Sequence, residues 1–85
     1  MNILVACEES QAVCKAFRER GFNAFSCDIL ECSGGHPEWH FHQDVFEIIR
    51  DKGGHLENGN VLYLPDGEEW DLMIHLRKSR RLYLK

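Results

Sequence analysis

The chain has no long apolar run, no excess of positive charge and few cysteines, and each absence excludes a class of protein. No segment approaches the roughly 20 apolar residues of a membrane-spanning helix. The formal net charge of −4 disfavours a free-standing nucleic-acid binder, which needs a basic surface. Four cysteines in 85 residues are too few for a secreted disulfide scaffold. The opening apolar run is short and lacks a cleavage-site pattern, so we expect reduced thiols and a cytoplasmic location.

The first 28 residues predict a strand, a helix and a second strand. Residues 2–6 are a nearly continuous apolar run, typical of a strand buried on both faces of a parallel sheet. Residues 11–20 carry an apolar stripe at helical spacing, with Ser10 as the expected N-cap and Gly21 as the stop. Residues 22–27 form the second strand, and Asp28 follows it. Because so short a crossover is right-handed, the two strands are expected to be parallel.

Glycine is absent from the loop after the first strand, residues 7–11. In dinucleotide-binding folds, glycines in this loop let the backbone approach a pyrophosphate, and an acidic residue roughly 20 positions later binds the ribose hydroxyls. Asp28 lies at about that separation from Ala6, but the glycines are missing. An adenosine derivative without a pyrophosphate, S-adenosylmethionine, is therefore the better candidate. The alternative is that Asp28 caps a turn and that Glu8 and Glu9 are solvated loop charges.

Residues 29–42 contain a glycine pair and a proline, which predict a surface loop. Thiol and imidazole side chains are frequent here, and both are ligands that zinc prefers. Their spacing, C-x4-C-x3-H-x3-H, lacks the C-x-x-C pair that holds a typical zinc site. We therefore favour a loop that merely contains histidines. A small metal-binding protein is the alternative, and its ligands would be Cys27, Cys32, His36 and His40.

The remaining segments predict one short helix, a hairpin and a further strand. Residues 45–50 have helical spacing, and Asp44 is placed as the N-cap or, alternatively, as a ligand of an adenine. Asn58-Gly59 predicts a type I′ hairpin turn within an insertion at about residues 55–67. Residues 70–74 return to the buried-strand pattern as a core strand parallel to the first two. Residues 76–85 are a basic tail, which is either a solvated end or a weak contact to DNA.

These segments together predict an α/β protein with a partial Rossmann-like parallel sheet, flanking helices and an inserted β-hairpin. The domain would span residues 1–75, followed by the tail at 76–85. A complete doubly wound nucleotide-binding fold generally needs well over ~150 residues, so we expect the chain to hold only part of one.

Four segments occur in an order that resembles a known family: MNILVACEES, VCKAFRERGFNAFSCDIL, HFHQDVFEII and WDLMI. They are similar to the N-terminal part of phage and prophage DNA (cytosine-5-) methyltransferase-like proteins, over about residues 1–50 and 70–74. The resemblance implies a class I methyltransferase fold that binds S-adenosylmethionine. It also implies three groups of binding residues: Ala6, Cys7, Glu8 and Ser10 at the methionine end, Asp28 and Ile29 at the ribose and adenine, and Asp44 and Val45 at the adenine edge.

The chain departs from the family after Ile74. In the family a Pro-Cys follows this strand, and its cysteine attacks carbon 6 of cytosine as the first step of methylation. Here HLRKSRR follows instead, so we expect no catalytic residue and a truncated domain that binds the cofactor at most. The missing C-terminal half, or a homodimer formed through the open edge strand, would be the partner. The alternative is a non-catalytic interaction module that uses this edge and the basic tail.

Overall fold

The computed structural model describes residues 1–76, which form an α/β unit. The elements in chain order are β1 (Asn2–Ala6), α1 (Ala12–Glu19), β2 (Asn23–Cys27), a 3-10 turn (Pro37–Trp39), β3 (His40–Phe41), α2 (Val45–Asp51), β4 (Gly53–His55), β5 (Val61–Tyr63) and β6 (Leu72–His75). The predicted parallel α/β sheet with flanking helices and a hairpin is confirmed. The prediction of a surface loop over residues 29–42 is wrong near its end, because His40 and Phe41 are buried in β3, which pairs in parallel with β2. The basic tail lies outside the described residues, apart from Leu76.

The main sheet has the strand order β3-β2-β1-β6, and all neighbours are parallel. β1 is central: β2 pairs with all five of its residues, and β6 pairs with its last four. Strand order therefore reverses at β1, with β2 and β3 on one side and β6 on the other. This arrangement is compatible with a Rossmann-like fold.

Two apolar clusters, one on each face of the sheet, explain why β1 is entirely buried. Ile3 and Val5 pack with Cys14 of α1 and with Ala24. On the opposite face, Leu4 and Ala6 belong to the cluster that contains Ile48 of α2, whose other members are Phe25, Cys27, Phe41 and Leu56. Burying one such aliphatic side chain contributes about 1.5–3 kcal/mol to folding. The continuous apolar run of β1 is thus required because helices cover both faces.

The two helices begin in different ways. Asp44 caps α2 as predicted, because its side chain accepts a hydrogen bond from Phe46 N at 2.9 Å. The prediction that Ser10 caps α1 is wrong. The residue before α1 is Gln11, which has a left-handed backbone, and the carboxylate of Glu8 accepts from the first-turn amides of Val13 and Cys14 instead.

The hairpin begins two residues earlier than predicted, since β4 pairs with β5 from Gly53 onward. The type I′ prediction for its turn is wrong, because such a turn needs two positive φ angles. Of Asn58 and Gly59, only Gly59 has one, at 96°. An antiparallel bridge between Phe41 and Leu56 attaches the hairpin beside β3.

β6 is parallel to β1 as predicted, but it spans Leu72–His75 and is not a core strand. Leu72 is 40% exposed and Met73 is 50% exposed. The reason is that β1 is its one sheet neighbour among residues 1–76.

None of the helices in this part of the chain has the length and apolar character that crossing a membrane requires.

Candidate functional site at the carboxyl edge of the sheet

The carboxyl ends of the four parallel strands meet at one edge of the sheet. Cys7 follows β1, Asp28 follows β2, Asp44 lies three residues after β3, and His75 ends β6. In open α/β sheets, ligands bind outside this edge at the point where strand order reverses. Here that point is the end of β1. We call the part of the edge next to β2 the β2 side and the part next to β6 the β6 side.

The β2 side is closed by the loop that follows β1. The backbone amides of Cys7 and Glu8 both donate to the carbonyl of Cys27, at 2.8 and 3.2 Å. The side chain of Glu8 is 1% exposed and accepts from the amides of Val13 and Cys14. A negative charge at a helix N-terminus is stabilised by the exposed amides and the helix dipole. The carboxylate predicted to line the methionine end therefore holds the start of α1 in place.

A buried polar network lies beneath the loop at residues 28–39. Gln11 Nε2 donates to Ser26 Oγ at 3.1 Å and to the carbonyl of His36 at 2.8 Å. Ser26 Oγ lies 2.8 Å from Nδ1 of His40, whose Nε2 lies 2.9 Å from the carbonyl of Leu30. Buried polar groups need such partners, so the network fixes the path of the loop.

Gly34 allows the loop to approach the start of α1 closely. A Cβ at this position would lie 2.4 Å from the carbonyl oxygen of Ser10, closer than the backbone can tolerate.

Sequence reasoning missed the roles of Gln11 and Ser26. For Ser26 the available signal was a polar residue inside an otherwise apolar strand, whereas Gln11 lies in a polar loop and gives no such signal.

Asp28 is half-exposed at the end of β2. Its Oδ1 accepts from Leu30 N at 3.1 Å, and its own amide donates to the carbonyl of Phe41 at 3.1 Å. The side chain of Asp28 therefore caps a turn, as the alternative interpretation predicted. It also lies directly after β2, where a carboxylate that binds a ribose is expected. The next side chain, Ile29, is 72% exposed.

The other predicted binding residues are divided between the two sides. Ser10 is exposed, and its Oγ lies 3.5 Å from Ala12 N. Ala6 and Val45 line one groove on the β6 side. Asp44 lies beside α2, where it serves as the cap. The structure therefore places the predicted residues along one edge of the sheet, divided between its two sides.

The β6 side is open and largely apolar. A groove of about 410 Å³ runs between α2 and the outer strand. Its lining residues are Leu4, Ala6, Val45, Phe46, Ile49, Met73, Ile74 and His75. At its rim, Nε2 of His75 lies 3.2 Å from Sγ of Cys7.

The four residues of the alternative metal site do not converge. Both ring nitrogens of His40 contact other groups, Ser26 Oγ and the carbonyl of Leu30. The ring of His36 stacks on Trp39 and contacts Glu38 at 2.8 Å. Within residues 1–76, no three His, Cys, Asp or Glu side chains are grouped so that they could hold a metal ion.

Three thiols are held in their protonated form. Burial raises the pKa of Cys14 to about 11 and that of Cys27 to about 12. The pKa of Cys32 is also raised, first by burial and then by a hydrogen bond with Glu57. Since the thiolate is the nucleophile and the metal ligand, these three cysteines are poorly suited to either role.

No protein-family model, curated protein or solved structure gives a significant match to the chain. The family resemblance, with the binding residues it implies, therefore stays a prediction.

Proposed function

We propose that residues 1–76 form the S-adenosylmethionine-binding part of a methyltransferase-like Rossmann domain. The observation that carries the proposal is the position of Asp28. It directly follows β2 in a parallel sheet whose strand order reverses at the neighbouring β1. The similarity of the four sequence segments to DNA (cytosine-5-) methyltransferase-like proteins supplies the identity of the ligand.

The chemistry of the edge suits an adenosine. A carboxylate accepts hydrogen bonds from both hydroxyls of a ribose, so Asp28 would orient the sugar. Ile29, exposed in this structure, would pack against the adenine and thereby lose its contact with water. Cys7 and Ala6 would lie beneath the methionine end. Glu8 would act at a distance, by holding the loop through the start of α1.

We propose that the chain binds the cofactor but does not transfer the methyl group by itself. Methylation of cytosine carbon 5 requires a thiolate that first attacks carbon 6. In the family that thiolate follows the strand equivalent to β6, whereas β6 here ends at His75 and Leu76 follows. No cysteine of this chain lies at that position.

Calorimetric titration with S-adenosylhomocysteine tests the proposal. Asp28→Asn is the informative variant, because the amide oxygen can still accept from Leu30 N while the charge is lost. We expect it to weaken binding by about tenfold or more, equivalent to ~1.4 kcal/mol. Asp66→Asn, in an exposed turn, is the matched control and should bind as the unmodified chain does.

Two outcomes would refute different parts of the proposal. Absence of binding heat at millimolar ligand would show that the sheet does not bind this cofactor. Unchanged affinity in Asp28→Asn, with clear binding in the unmodified chain, would show that the ribose contact is made elsewhere.

A second candidate function is an interaction module, and the open edge of β6 favours it. The backbone groups on its outer side have no neighbouring strand within residues 1–76, and such edges pair readily with other strands. Two copies would join through antiparallel β6 strands in a twofold dimer. Light scattering should then give the mass of two chains, and Leu72→Lys should shift it toward one. One-chain mass at high concentration would exclude this candidate.

The proposed contact to DNA through the basic tail rests on residues 76–85, of which the structure describes only Leu76. It predicts salt-sensitive DNA binding that is lost when these residues are deleted.

A further inference from the structure

Cys7 and His75 are brought together by the register of two parallel strands. The register pairs Ala6 of β1 with His75 of β6, and Cys7 is the next residue. Cys7 has a positive φ of 61°, at the point where the chain leaves the strand. Its Sγ lies 3.2 Å from Nε2 of His75, which is within hydrogen-bonding distance for sulfur.

This contact has the geometry of a nucleophile beside its base. A histidine that carries its hydrogen on Nδ1 accepts the thiol hydrogen at Nε2. Transfer of that proton leaves a thiolate, which is the reactive form of cysteine. His75 is exposed and Cys7 is half-exposed, so a reactant can reach the pair from solvent.

The other cysteines offer an internal contrast. Cys14 and Cys27 are buried in the two apolar clusters. Cys32 is half-buried like Cys7, but its neighbour is a carboxylate, Glu57, which disfavours the thiolate. Among the four thiols, only Cys7 is both accessible and in contact with an imidazole.

The groove beside His75 indicates which reactants would reach the thiol. Its volume, about 410 Å³, lies within the range of small-molecule sites, and aliphatic side chains form most of its lining. Met73 and Ala6 line it, and so does Phe46 of α2. An apolar molecule in this groove would have its end at the rim formed by His75.

We propose that Cys7 and His75 form a nucleophilic pair that adds to apolar α,β-unsaturated carbonyl compounds entering through the groove. The thiol proton moves to His75 Nε2, and the sulfur electron pair forms a bond with the β-carbon. The electrons of the carbon–carbon double bond shift to the α-carbon, which takes the proton back from the imidazolium. No group leaves and nothing is oxidised or reduced. The reaction requires no cofactor, although Cys7 also belongs to the proposed S-adenosylmethionine site.

Maleimides test the proposal on the full chain, because they are α,β-unsaturated carbonyl compounds. Rates at each cysteine are followed by peptide mass spectrometry across a series of pH values, with N-cyclohexylmaleimide as the apolar probe. Near neutral pH we expect Cys7 to react faster than Cys32 by about tenfold or more.

Replacement of the histidine separates a chemical role from a structural one. His75→Gln and His75→Asn should slow Cys7 on the order of tenfold and move the midpoint of its pH–rate profile upward, toward an ordinary thiol. The rate at Cys32 should not change. His55→Gln, an exposed histidine at the end of β4, is the matched control and should leave Cys7 unaffected. An unchanged midpoint in both His75 variants would overturn the role of the imidazole.

A second pair of variants tests the groove. Met73→Glu places a carboxylate in the lining of the groove and should slow N-cyclohexylmaleimide, but not the polar N-(2-hydroxyethyl)maleimide. Val61→Glu alters an exposed apolar residue of β5, which does not line the groove, and should change neither rate. Equal rates for the two probes at Cys7 would refute entry through the groove. A Cys7 rate no higher than that of Cys32 would refute the proposal as a whole.

Discussion

The two sides of β1 differ in how their polar groups are used. On the β2 side, Glu8, Gln11, Ser26 and His40 are buried, and each is hydrogen-bonded within the protein. On the β6 side, an apolar groove is open to solvent and the Cys7–His75 contact lies at its rim. β1 itself contributes Leu4 and Ala6 to the lining of this groove.

This difference separates structural polar residues from candidate functional ones. A glutamate, a glutamine and a histidine near the end of a parallel sheet have the composition of a ligand site. On the β2 side, however, their hydrogen bonds hold the first helix and the loop at residues 28–39. Function is therefore better sought at Asp28, which is half-exposed beside the network, and on the β6 side.

The largest loss of stability is expected when the buried carboxylate on the β2 side is removed. Glu8→Ala removes two charged hydrogen bonds to the first turn of α1, so we expect the free energy of unfolding to fall by about 3 kcal/mol. Urea denaturation measures this. Glu31→Ala, at an exposed loop position, is the control and should change stability by no more than about 0.5 kcal/mol.

A similar loss of stability in both variants would contradict the structural role of Glu8. It would mean that the carboxylate of Glu8 is no better paired than a solvated surface charge. The contrast between the two sides of β1 would then rest on Gln11, Ser26 and His40 alone.

The next effect in size is a loss of stability at alkaline pH. Burial raises the pKa of Cys14 from 9.0 to about 11 and that of Cys27 from 9.0 to about 12. Above pH 9 the unfolded chain therefore loses thiol protons that the folded chain retains. The free energy of unfolding should fall between about pH 9 and pH 12, by about 1 kcal/mol per thiol at pH 10.

Urea denaturation at pH 8 and pH 10 measures this difference. In Cys27→Ala the protein should be less stable at both pH values, because a cavity remains, but the difference between them should shrink. Cys32→Ala should shrink it less, since Cys32 is less buried. A pH difference that is the same in Cys27→Ala as in the unmodified chain would contradict the assignment.

The smallest effect on stability is expected on the open side. His75→Gln alters an exposed residue of the outer strand, so the free energy of unfolding should change by no more than about 0.5 kcal/mol. The same variant is expected to slow thiol addition at Cys7. A loss of stability as large as that of Glu8→Ala would show that both sides of β1 are structural.

Much of the fold follows from local patterns. The residues of β1 match the prediction at both ends, and α1 is one residue shorter at each end than the predicted 11–20. Asp44 caps α2 as predicted. Such features are predictable because apolar spacing and capping side chains act over a few residues.

The arrangement of the site depends on contacts between residues that are far apart in the sequence. The sequence by itself determined β1, β2, the two helices and the position of Asp28 after a strand, but it predicted a surface loop where β3 lies. Only the tertiary structure decided that Glu8 rather than Ser10 stabilises α1, and that His40 is paired internally with Ser26. Cys7 and His75, 68 residues apart, meet because β6 pairs in parallel with β1. That register is set by which faces of the strands are buried, and burial is a property of the assembled sheet.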